Sequence, residues 1–89
     1  MDDQQILDEL LSILETGGIQ VRDEPMGGSG GGLCKLRGRQ VFFLDTQASP
    51  VDCALACAEA VERAIDIEQL YIKPQVRRFI EHHGGLAES

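Results

Sequence analysis

The chain of 89 residues has no tryptophan, one tyrosine and three phenylalanines. Its core therefore has to be aliphatic. Basic residues are scarce: eight Lys and Arg stand against fifteen Asp and Glu, for a net charge of −7. Phosphate contacts dominate nucleic-acid affinity, so this balance excludes nucleic acid as the expected partner. No apolar run approaches the roughly 20 residues that a membrane span requires, so no membrane association is expected. The opening Met-Asp-Asp-Gln-Gln has neither a basic nor an apolar leader region, which predicts a cytoplasmic protein. Three cysteines, an odd number with no Cys-x-x-Cys among them, predict reduced thiols in that compartment. No Ser-His-Asp constellation, H-E-x-x-H or RNA- or DNA-reading signature occurs. The expectation is a protein that is not an enzyme and carries no cofactor.

What is present suits one small α+β domain over 1–84, with a frayed tail over 85–89. Residues 2–16 read as an amphipathic helix, with Ile6, Leu7, Leu10, Leu11, Ile13 and Leu14 on one arc. Asp2 and Asp3 suit its positive end, and Gly17-Gly18 stop it. Ile19 to Glu24 alternates as a half-buried strand and Pro25 ends it. Leu33–Arg37 and Gln40–Asp45 form a hairpin around Gly38, which supplies a positive φ. Val41-Phe42-Phe43-Leu44 is apolar at consecutive positions, which predicts a central strand covered on both faces. Ser49 and Pro50 start a helix to about Ile65, with Val51, Ala54, Ala58, Val61 and Ile65 as its main stripe, widened by Cys53, Cys57, Ala60 and Ala64. Leu70-Tyr71-Ile72 is an expected short strand, and Pro74 opens a last helix through Val76, Phe79, Ile80 and His83. The expected fold is thus helix, strand, hairpin, helix, short strand, helix, on a mixed sheet of three to four strands.

The charge is uneven. Residues 1–24 carry seven acids and one base, whereas six of the eight bases fall in two clusters, Lys35, Arg37, Arg39 and Lys73, Arg77, Arg78. Each cluster is either a solvated face or a local site for an acidic partner or anion. The run Gly27-Gly28-Ser29-Gly30-Gly31-Gly32 precedes the first cluster. Gly-rich backbone cradles phosphate where it joins a helix N-terminus; this one joins a strand. Its ordinary reading is a mobile connection. The functional reading is a small-anion or phosphorylated-ligand site built from Gly28, Ser29, Gly30, Gly31, Lys35, Arg37 and Arg39.

Cys53 and Cys57, four apart on a helix, face the same way. With Cys34 and His82 or His83 they form a conceivable zinc set, but they fall on the arc assigned to the core. Alternation puts Cys34 with Leu36 on an inward face, where the thiol would be inert despite neighbouring Lys35. Among the carboxylates Asp45, at a strand end, is the best single candidate, against a local turn with Thr46.

Gly31 to Gly38 with Val41 to Asp45, and Leu70 to Arg77 with Phe79-Ile80-Glu81, resemble a family of small uncharacterised bacterial proteins of about this length. That resemblance implies class and localisation and no activity. The strand, glycine bend, hairpin, Ser-Pro and helix order is similar to a minimal zinc-peptidase core. There the helix carries two histidines, where this one reads Cys53-Ala54-Leu55-Ala56-Cys57. The leading expectation is a cytoplasmic protein-interaction module, homodimeric or an adaptor. Its thin core would gain from a partner, and an exposed edge at Ile19–Glu24 or Leu70–Ile72 would offer strand pairing.

Overall fold

The structure is a computed structural model and describes residues 1–84; the expected frayed tail lies outside the described residues. Helix α1 spans Asp3–Thr16. Asp2 caps it by accepting from the Gln5 N–H at 2.8 Å, while the Gln5 side chain accepts from the Asp2 N–H at 2.9 Å. This reciprocal box satisfies amides that would otherwise lack partners. Leu7, Leu10 and Leu14 are buried, as the periodicity demands. Gly18 (φ +84°) turns the chain into strand β1, Gln20–Glu24.

Strands β2 (Gly31–Leu36) and β3 (Arg39–Asp45) form the hairpin. Its two-residue turn has positive φ at both Arg37 (+51°) and Gly38 (+81°), the primed geometry that matches strand twist. The sheet order is β1-β3-β2, with β1 parallel to β3 and β2 antiparallel to it. The sheet is mixed and three-stranded, and β3 is central as expected. Helix α2 spans Pro50–Ala64, with Ser49 as its N-cap. A 3₁₀ turn (Ile67–Gln69) follows, then α3 (Pro74–Phe79), which widens into a π turn over Ile80–Gly84.

Val21, Leu33, Phe42 and Leu44 share one sheet face and pack into the core with Leu10, Leu14 and the inner side of α2. Cys53, Ala54, Cys57, Ala58 and Val61 form that inner side. Alanine and cysteine let the helix sit close to the sheet. Phe42 is fully enclosed. Burying a side chain of that size stabilises by roughly 1.5–3 kcal/mol.

Four expectations need correction. Leu70–Ile72 is not a strand. Its alternation is real, with Ile72 buried and Tyr71 exposed. However, Arg77 donates to the Leu70 and Ile67 carbonyls, and Lys73 reaches Glu9 of α1, so the segment is tied to helices. Val51 lies outside the buried stripe and is exposed. Helices cover the sheet on one face only: Val41, Phe43, Cys34 and Leu36 share the other face, where Val41 is nonetheless buried by its neighbours at 4% exposure. Cys34 and Leu36 therefore point outward, not inward. In β2 the two alternating phases each hold one leucine, and the helices cover the phase of Leu33.

Candidate functional site

The glycine segment is ordered around Asp45. This carboxylate is 1% exposed, the sole buried charged side chain among the described residues. Its Oδ1 accepts from the N–H groups of Met26 (2.9 Å) and Gln47 (2.9 Å); Oδ2 accepts from Gly28 (2.7 Å) and Gly30 (3.1 Å). The Gln47 Oε1 takes the Gly27 N–H at 2.7 Å. Burial alone would raise the Asp45 carboxyl. The donors from Gln47, Met26, Gly30 and Gly28 outweigh burial and lower it from 3.8 to about 2. The backbone amides that a phosphate cradle would use are therefore engaged by an internal anion.

Glycine is required where this knot touches its surroundings. Gly30 (φ +104°) lies against α2, where an added Cβ would sit 2.7 Å from the Asp52 carbonyl oxygen. Gly31 (φ +116°) faces the Phe43 carbonyl so closely that no Cβ fits. Both backbones also lie in the region that disfavours side chains.

The cations stand elsewhere. Gly31 opens β2 and Arg37 lies just past its other end, about 20 Å away at roughly 3.3 Å per residue. The structure thus brings Gly28, Ser29, Gly30 and Gly31 together, and Arg37 with Arg39, but not the two groups with each other; Lys35 lies on the opposite sheet face from Arg39, with Leu33, so the three expected cations do not form one site. Lys35, Arg37 and Arg39 form no ion pair among the described residues, whereas Arg22 meets Glu24 at 3.9 Å. Arg22 also lies 5.9 Å over the Phe43 ring. Arg22, Arg37 and Arg39 join Gln20, Leu36 and Val41 around an open depression of about 600 Å³ on the bare sheet face. The second basic cluster is largely structural. Lys73 pairs with Glu9 at 2.8 Å, and Arg77 holds the Ile67 carbonyl at 3.0 Å and Glu68 at 3.5 Å.

A second groove, of about 560 Å³, runs between β2 and the outer side of α2. Gly31, Gly32, Leu33, Asp52, Leu55 and Glu59 are among its lining residues.

The thiols are dispersed. Cys34 is exposed on β2. Cys57 is buried, and burial, then neighbouring Cys53, pushes its thiol up to about 12. Burial, followed by the charges of Asp45 and Asp52, raises Cys53 as well, and its Sγ donates to the Asp45 carbonyl at 3.3 Å. Neither helix thiol is primed as a thiolate. Among the described residues no three His, Cys, Asp or Glu side chains gather into a metal-holding group. His83 packs on Phe79, with ring centroids 4.6 Å apart.

Sequence reasoning ranked Asp45 first among the carboxylates but missed its partners. A signal was available: a carboxylate ending the most apolar strand needs donors, and the glycine run is the donor-rich segment without a ladder of its own. No family model matches the chain, and no curated protein or solved structure matches it either.

Proposed function

We propose that the protein is a non-catalytic interaction module whose bare sheet face docks an acidic, aliphatic segment of another protein. The observation that supports this reading is the depression edged by Leu36, Val41, Arg37 and Arg39. It combines the exposed side chain of Leu36 with Arg37 and Arg39, which form no ion pair among the described residues, in a chain of net charge −7. Leu36, at the edge of this depression, is 44% exposed. The charge sets the partner's sign. Two copies stacked face to face would oppose Arg37 and Arg39 with themselves, whereas an acidic segment is attracted to them.

The test is a titration of isotopically labelled protein with a peptide of alternating Glu and Leu, followed by amide chemical shifts. The expected shifts centre on Leu36, Arg39 and Val41 and weaken with salt. Exposed charge pairs contribute roughly 0.2–1 kcal/mol each, so Arg37→Glu with Arg39→Glu weakens binding about tenfold or more. Shifts that are absent, or that a Lys-Leu peptide reproduces, sink the reading. Equal competition by inorganic phosphate would instead favour a small-anion site at Arg37 and Arg39.

A further inference from the structure

The free edge of β2 carries an independent message. Leu36 and Arg39 flank the two-residue turn, so they form a hydrogen-bonded pair, and antiparallel ladders alternate. Leu36, Cys34 and Gly32 therefore spend their backbone groups on β3. The Asp45 N–H to Gly30 carbonyl bond, at 3.4 Å, continues the same phase. Leu33 and Lys35, in the other phase, direct their N–H and C=O outward along an edge that pairs with no strand among the described residues. Natural proteins normally blunt such an edge or use it.

We infer that this edge pairs with β2 of a second copy, antiparallel about a two-fold axis at Leu33. The register follows from the chemistry. Hydrogen-bonded pairing joins outward-facing residues to one another, so Leu33 meets Leu33 and Lys35 meets Gly31. The groove beside Gly31 is lined by Asp52 and Glu59 of α2. Glu59 already has Arg63 at 3.5 Å, whereas Asp52 has no cation among the described residues. Lys35, which likewise has no ion pair among the described residues, lies on the same sheet face as Leu33, the face beneath α2. The symmetric register therefore brings each Lys35 to the second copy's Asp52. It also places Leu33 beside Leu55, which is 36% exposed in the groove.

Self-complementarity of this kind is what a two-fold interface requires. It avoids the repulsion of face-to-face stacking, because the basic hairpin turns point in opposite directions. The bare faces of both copies become one continuous six-stranded surface, so the inference extends the docking reading without depending on it.

Sedimentation of the full chain, without peptide, tests it. The expected species at high micromolar concentration has twice the monomer mass of 9.7 kDa. Lys35→Glu weakens the dimer at least tenfold, and adding Asp52→Lys restores it. Lys35→Pro, which removes an outward N–H and no ladder bond, gives a monomer. Circular dichroism confirms that each variant is folded, and Lys35→Glu, at an exposed site, serves if the proline variant is not. A wild-type monomer overturns the inference, as does a dimer whose affinity Lys35→Glu leaves unchanged. Neither result bears on peptide binding at the sheet face, which the titration reads separately.

Discussion

The two ends of β2 look like halves of one anion site in the sequence and behave as opposites in the structure. At the Gly31 end, backbone donors converge on an anion that the chain itself supplies. At the Arg37 end, cations stand without ion-pair partners among the described residues. The difference shows that donor-rich sequence is not donor-rich surface. Whether a glycine loop can receive a ligand depends on a residue 15 to 19 positions away that reaches it first.

The largest effect should come from emptying the filled end. Asp45→Ala leaves buried N–H groups without acceptors, and thermal melting should fall by roughly 10 °C or more. Asp45→Gly should be equally weak, yet should recover Tm as formate is added, since formate can replace the lost carboxylate. Wild type should show no such recovery. An Asp45→Gly protein indifferent to formate would end the description of the loop as an occupied anion site. The same carboxylate sets an acid limb. Its folded value, about 2, lies below its ordinary 3.8, so its contribution is complete above 3.8 and is lost as pH falls through about 2. Acid denaturation of Asp45→Ala should lack that component.

A smaller effect separates adjacent glycines. Gly31→Ala forces a Cβ against the Phe43 carbonyl at positive φ and should cost about 2 kcal/mol or more in chemical denaturation. Gly32→Ala meets nothing within 4 Å and has ordinary φ, so it should gain about 0.4–1 kcal/mol. Equal effects at the two sites would mean the loop is not held as described.

The smallest effect belongs to the hairpin turn. Arg37→Gly relieves a positive φ and should stabilise by about 0.5–1 kcal/mol in the same denaturation series. It should also weaken the Glu-Leu peptide. Gain in stability with loss of binding would mark the turn as serving recognition at the expense of the fold; loss of both would not.

Local chemistry was legible. The α1 stripe follows from a 3.6-residue period, the start of α2 from Ser49-Pro50, and the turn from Gly38. The central place of β3 followed from its unbroken apolar run. What escaped was relational. The phase of β2 could not be read because Leu33 and Leu36 lie in opposite phases, so either face could have been the inner one. The one-sided cover of the sheet escaped because Val41 and Phe43 on the bare face are as apolar as Phe42 and Leu44. Residues 70–72 have strand-like alternation, but a ladder needs an edge, and Arg77 and Lys73 hold them among helices instead. Lys73 and Arg77 read as half of a basic patch and serve as internal ties, because ion-pair partners such as Glu9 lie 64 residues away. The Asp45 knot is the same lesson at the candidate site: the aspartate could be ranked, but its donors belong to a distant segment.

The parallel pairing of β1 with β3 also fixes an order of events. The β2–β3 hairpin closes through its own two-residue turn. By contrast, β1 has nothing to pair with until β3 has been made, although it precedes β3 in the chain. Its docking must close the whole intervening segment, including the glycine run. Asp45, the last residue of β3, accepts from Met26 just after β1 ends. The residue that completes the central strand is thus also the latch that seats the first strand.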